Sequence, residues 1–148
     1  MFTNHPKGSH SILLATISCP LSIFSDSQSE QYFIALANAI SANLKLTPIR
    51  TETCKYPPRN NDIGGLTVVT FLAESHIVIE TYPEDELYEI SIISCKRKIQ
   101  REFVDALRAC EISYLDMQEV RAIQKQGRRW RVHGDFVRKK KQVPANKA

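Results

Sequence analysis

The chain has 148 residues, enough for one domain with a buried core and too few for two. Its 43% hydrophobic and 24% charged content is that of a globular fold, and its strand-sized apolar runs argue against a membrane-spanning helix. The net charge of +4 is unevenly spread: residues 1–120 hold ten basic and fifteen acidic side chains, whereas from Arg121 onward ten basic residues face a single acid, Asp135.

The first ten residues are polar and contain Pro6 and Gly8, with none of the apolar core of a signal peptide, so a cytoplasmic location is expected. Residues 11–18 (SILLATIS) form an apolar, β-compatible run that Cys19-Pro20 stops. Polar residues at 25–29 then precede Tyr32-Phe33, Leu36, Ala39-Ile40 and Asn43-Leu44, which is the spacing of a capped helix. Residues 47–54 read as a strand. The stretch 55–65 (KYPPRNNDIGG) is a loop by its paired prolines and glycines.

Three dense β-branched runs follow at 66–73, 76–82 and 87–94. Ile99, Phe103-Val104, Leu107 and Cys110 share one face of a helix over 97–110, and 113–123 holds a final strand. The order is β-α-β-β followed by β-β-α-β. It predicts an α+β fold, a two-layer α/β sandwich whose antiparallel sheet carries helices on one face. The other face needs cover, and a second copy of the chain is the simplest source, so a homodimer or higher homo-oligomer is expected. From Lys125 the sequence turns basic, interrupted by glycine and without clear periodicity. Residues 125–148 are therefore read as an extension to a domain spanning 8–124.

Cys19, Cys54, Cys95 and Cys110 are scattered, with no CxxC and no histidine at zinc-finger spacing, so neither a disulfide framework nor a metal site is expected. The stretch that carries chemistry is 65–95, GLTVVTFLAESHIVIETYPEDELYEISIISC. It resembles the signature of the small bacterial and archaeal S-adenosylmethionine decarboxylases, roughly G-V-S-G-V-V-V-I-x-E-S-H-[LI]-T-I-H-T-x-P-E with a cysteine at a fixed distance downstream. Glu74-Ser75-His76, Thr81, Pro83-Glu84 and Cys95 fall in register with it, and Gly8-x-His10 before the first strand resembles the family's opening. The resemblance covers about residues 8–124.

That resemblance implies a proenzyme that cleaves itself between Glu74 and Ser75. The Ser75 hydroxyl attacks the Glu74 carbonyl in an N-to-O acyl shift, loss of the Cα proton expels the Glu74 carboxylate, and hydrolysis leaves a pyruvoyl group at position 75. That ketone is a covalently attached electron sink for decarboxylation. Thr67 stands where the family has a serine whose hydroxyl assists the shift, and Cys95 matches the cysteine that reprotonates the product, a general-acid task suited to a thiol. Glu84 matches a ribose-binding carboxylate, and Ile77 and Asn61 fall at further substrate-contacting positions.

The chain departs from the family at two of these places. Glu80 replaces the histidine that serves as base in the elimination, and Asn61 replaces the aromatic residue that stacks on adenine. Three functional readings follow. The first is a pyruvoyl-dependent decarboxylase of polyamine biosynthesis, with S-adenosylmethionine as the default substrate and L-ornithine or L-arginine as the alternative. The second is an uncleaved, non-catalytic homologue that acts as a binding partner. The third is nucleic-acid binding through Arg128-Arg129-Trp130-Arg131 and the basic run 138–141.

Overall fold

A computed structural model describes residues 10–58 and 63–137, with 126 and 133–137 as main chain only. A seven-stranded antiparallel sheet runs in the order β2-β3-β4-β5-β1-β6-β7. Its strands are β1 (Ser11–Ser18), β2 (Pro48–Lys55), β3 (Leu66–Leu72), β4 (Ser75–Tyr82), β5 (Leu87–Ser94), β6 (Met117–Gln126) and β7 (Arg129–Val137). The helices are the short α1 (Leu21–Ser25), α2 (Ser29–Asn43) and α3 (Gln100–Ala109). This is the expected α+β sandwich.

Alternation fixes which face each strand buries. Leu13, Ala15 and Ile17 of β1, Ile77 and Ile79 of β4, and Tyr88, Ile90 and Ile92 of β5 are all buried beneath the helices. Phe33, Leu36, Ala37 and Ile40 of α2 and Phe103, Ala106 and Leu107 of α3 close that layer. The Phe33 ring meets Tyr88 edge-on, with centroids 5.2 Å apart. Both helices stop at a left-handed residue, Lys45 (φ 57°) after α2 and Glu111 (φ 64°) after α3. The Leu46 and Ile112 amides then return to the Ser41 and Leu107 carbonyls.

No helix among the described residues lies on the opposite face, and strand register orders its side chains into rows. Cross-strand partners place Phe71, His76, Ile93, Ile12, Ile123 and Val132 in one row spanning β3 to β7. Phe71 is 44%, Ile93 38% and Val132 54% exposed, so none of the described residues covers that part of the row. Two residues further along the strands lies a mixed row of Val69, Val78, Ser91, Leu14 and Arg121. Two further still lies a polar row of Thr67, Glu80, Glu89, Thr16 and Glu119. The open face thus runs from apolar at one end to acidic at the other.

The reading of 125 onward as aperiodic is modified. Residues 125 and 126 finish β6, and Arg129–Val137 pairs with β6 as an edge strand. Its pattern is hard to see in sequence because arginines flank Trp130 and Val132, and an edge strand needs only one apolar face. Residues 138–148 lie outside the described residues, as do 1–9 and 59–62.

Candidate active site

Glu74 and Ser75 sit at the tip of the β3–β4 hairpin. Leu72 pairs with Ser75, so Ala73-Glu74 is a two-residue turn, a geometry in which positive φ is common. Here the positive φ falls on Ser75, at 149°. Serine adopts this backbone region rarely, at a cost of roughly 1–3 kcal/mol, and such strain persists where the surroundings enforce it.

The surroundings of Glu74 do enforce it. Ser75 pairs with Ser94 across β4 and β5, which brings Glu74 opposite Cys95. The Cys95 amide donates to the Glu74 carbonyl oxygen at 3.0 Å. The Glu74 side chain is buried, and its carboxylate accepts from the Thr47 amide (3.0 Å) and the Thr47 hydroxyl (3.1 Å). It also pairs with Lys96 Nζ at 3.3 Å. Burial alone would raise its pKa, but the bonds from Thr47 and Lys96 outweigh burial and hold the carboxyl below its ordinary value.

A buried polar row fixes the loop that carries Cys95. The Lys96 amide bonds the Ser94 hydroxyl at 3.0 Å, and the Lys98 amide bonds the Ser11 hydroxyl at 2.8 Å. Gln124 donates to the Lys98 carbonyl at 2.8 Å and accepts from Arg97 Nε at 3.1 Å. Ser11, Ser94 and Gln124 are almost wholly buried, so their bonds are made in a low-dielectric setting where leaving them unmade is costly. Cys95 and Ser75 are themselves half-buried. His76 Nδ1 lies 3.3 Å from Ser75 Oγ.

Other expected site residues lie elsewhere in the same chain. Thr67 pairs with Glu80, five residues beyond Ser75 on β4, which is roughly 17 Å along a strand. Tyr82 donates its hydroxyl to Glu80 Oε2 at 2.8 Å. That bond, then burial and the neighbouring Glu80, Glu89 and Glu84 carboxylates, push the Tyr82 hydroxyl up to about 12. Glu84 is exposed in the 3-10 turn Pro83–Asp85, at this same far end. Glu80, Glu89 and Glu119 border a cavity of about 200 Å³ on the open face, with Leu14, Thr16 and Ser91. Ile77, also an expected substrate position, has its side chain fully buried beneath the helices, because its place in the strand alternation turns it to the core. Asn61 lies outside the described residues. The chain therefore carries two separate clusters: Glu74, Ser75 and Cys95 at the hairpin tip, and Thr67, Glu80 and Glu84 at its base.

Motif and geometry meet in one comparison, because the S-adenosylmethionine decarboxylase family model matches residues 12–124. The chain belongs to the S-adenosylmethionine decarboxylase family. Its fold is similar to the crystal structure of the adenosylmethionine decarboxylase from Aquifex aeolicus VF5, with a TM-score of 0.56 and 19% identity. That likeness covers 93% of this chain and 100% of the other. No curated protein sequence matches.

S-adenosylmethionine decarboxylases depend in general on a pyruvoyl group. The residues at the hairpin tip suit its formation: a serine in a strained backbone, following a carbonyl that already holds a hydrogen-bond donor. Sequence reading did not single out Thr47, Lys96 or the Cys95 amide. Thr47 and Lys96 belong to no motif, and a main-chain donor leaves no trace in residue identity. His76 was in view within Glu74-Ser75-His76, but without a role. Among the described residues there is no cluster of metal-ligating side chains, no disulfide, and no helix long and apolar enough to cross a membrane.

Proposed function

We propose that the chain is a cytoplasmic proenzyme that cleaves itself between Glu74 and Ser75 and serves polyamine biosynthesis as a pyruvoyl-dependent decarboxylase. The observation that carries this reading is the Cys95 amide bonded to the Glu74 carbonyl beside a strained Ser75. A donor already aimed at the carbonyl that must become tetrahedral is the arrangement acyl transfer requires. Straining the residue that follows raises the energy of the intact peptide relative to its rearranged form. The Glu74 carboxylate, held by Thr47 and Lys96, keeps the preceding residue still while this happens. Once formed, the pyruvoyl group supplies an electron sink for loss of CO₂. The thiol of Cys95 returns a proton to the substrate carbon from the turn beside position 75. The decarboxylase domain is residues 8–124, and 125–148 is an extension whose first part adds β7 to the sheet.

The two clusters complete each other only across two chains. In a symmetric dimer that packs the open faces with their strand ends exchanged, the Ser75 end of one protomer meets the Thr67, Glu80 and Glu84 end of its partner. Two such sites form per dimer, and the apolar row of Phe71, Ile93, Ile12, Ile123 and Val132 is removed from water. S-adenosylmethionine is the family's default substrate. The cavity bordered by Glu80, Glu89 and Glu119 favours a second reading, a cationic amino acid such as ornithine or arginine, whose side-chain charge those carboxylates would bind.

Mass measurement of the purified protein under denaturing conditions tests the processing. Two fragments are expected, 1–74 and a pyruvoyl-capped chain beginning at position 75, while Ser75→Ala stays whole. A wild-type chain that remains full length after long incubation would refute the enzyme reading and leave the uncleaved binding partner in its place.

A further inference from the structure

We propose that His76 is a catalytic residue of the cleavage, the base that takes the Ser75 hydroxyl proton and hands it to the departing Ser75 nitrogen. The inference rests on the self-processing reading above and adds to it the group that performs the proton transfer. Two observations support it. His76 Nδ1 lies 3.3 Å from Ser75 Oγ, a separation that suits a resting acid–base pair, since such contacts tighten only as the reaction proceeds. His76 also stands as the one ionisable side chain in the otherwise apolar open-face row, between Phe71 and Ile93.

With its proton on Nε2, the imidazole presents Nδ1 to the hydroxyl as an acceptor. As the Oγ–H proton moves to Nδ1, Oγ forms its bond to the Glu74 carbonyl carbon and the carbonyl electron pair moves onto oxygen. The Cys95 amide stands at that oxygen. When the carbonyl re-forms, the C–N bond breaks and Nδ1–H delivers its proton to the Ser75 nitrogen. The products are a Glu74–Ser75 ester and a free amine, with the histidine returned to its starting form and no co-reactant consumed. Nucleophile, base and oxyanion donor thus come from Ser75, His76 and Cys95, which the β4–β5 register brings together.

The test follows fragment formation with time in wild type, His76→Ala, His76→Gln and Ser75→Ala, all checked for matching thermal unfolding. Hydroxylamine, which cleaves the ester, reports how much of it accumulates. Both His76 variants are expected to process at least about 100-fold more slowly than wild type, the usual worth of a positioned base, and to accumulate no ester. Added imidazole should speed His76→Ala, a rescue that a merely structural histidine would not give. If His76→Ala fails to fold, His76→Gln decides the matter, because it keeps the side chain's bulk and polarity but cannot carry the proton. Cleavage by His76→Gln within threefold of wild type would overturn the proposal and leave self-processing standing. A hydroxylamine-sensitive ester accumulating in that variant would also overturn it, by moving His76 to the later elimination. A wild type that never cleaves would overturn both.

Discussion

The separation of the two clusters can be tested by mixing two inactive chains. Glu80 lies roughly 17 Å along β4 from Ser75 of its own chain, whereas a base must come within about 3 Å of the proton it removes. No side-chain rotation closes that gap, so Glu80 can act at Ser75 only on another copy. Ser75→Ala and Glu80→Gln are each expected to be inactive alone. Co-expressed with different affinity tags, they form a mixed dimer in which one site carries both defects and the other carries neither. If chains pair at random, half of all dimers are mixed and each has one intact site, so activity should recover to about one quarter of wild type. The assay is release of labelled CO₂ together with the amount of the 1–74 fragment, measured on mixed dimers isolated through both tags. There, one of two sites is intact and about half the wild-type activity is expected. Mixed dimers as inactive as both parents would refute the argument that Glu80 acts across chains, and an active Glu80→Gln parent would place Glu80 outside the chemistry of Ser75.

The remaining predictions concern pH, substrate and the edge of the sheet. Because Glu74 is held below the ordinary carboxylate range, its bonds to Thr47 and Lys96 stabilise the fold at pH above about 4.3, and that stabilisation is lost as pH falls through its lowered value. In a Ser75→Ala background, Glu74→Gln should therefore cost about 2 kcal/mol at pH 7 by chemical denaturation and much less at pH 3; an equal loss at both would show that its charge is irrelevant. Carboxyl-labelled S-adenosylmethionine, ornithine, arginine and lysine, each tested with wild type and Cys95→Ser, will identify the substrate. The cysteine variant should turn over more slowly or divert into transamination of the pyruvoyl group. Truncation after Gln126 removes β7, exposes the edge of β6 and should lower the melting temperature while leaving cleavage at 74/75 intact. An unchanged melting temperature would show that β7 adds nothing to the fold.

The strands were legible as dense runs of apolar and β-branched residues. Their inner face was not, because Ile12, Leu14, Val69, Phe71, Val78 and Ile93 on the open face are as apolar as the residues buried beneath the helices, and only the structure shows the alternation of burial. β7 was missed because arginine occupies the positions that flank Trp130, and basic composition hid a two-residue period. The site was legible only as spacing. Thr67 and Glu80 are equidistant from the Ala73-Glu74 turn, as are Leu72 and Ser75, so a two-residue hairpin forces Thr67 opposite Glu80 and both away from Ser75. In the same way, the spacing between Ser75 and Cys95 is the length at which β4 and β5 bring Cys95 opposite Glu74. The motif thus encodes two hairpin registers, one that brings Cys95 to Glu74 and Ser75 at the tip and one that carries the other expected residues to the base. What sequence does not encode is the pair of contacts that would give the Glu74–Ser75 bond its reactivity. One is a main-chain amide, and the other is a histidine whose role depends on where Nδ1 points. Substituting Thr67 should accordingly leave the Cys95–Glu74 contact of its own chain intact and impair cleavage only at the partner's Ser75. In mixed dimers with Ser75→Ala, Thr67→Ala should therefore behave as Glu80→Gln does, with one site restored. Restoration by one variant and not the other would mean that Thr67 and Glu80, though paired across the hairpin, do not serve the same site.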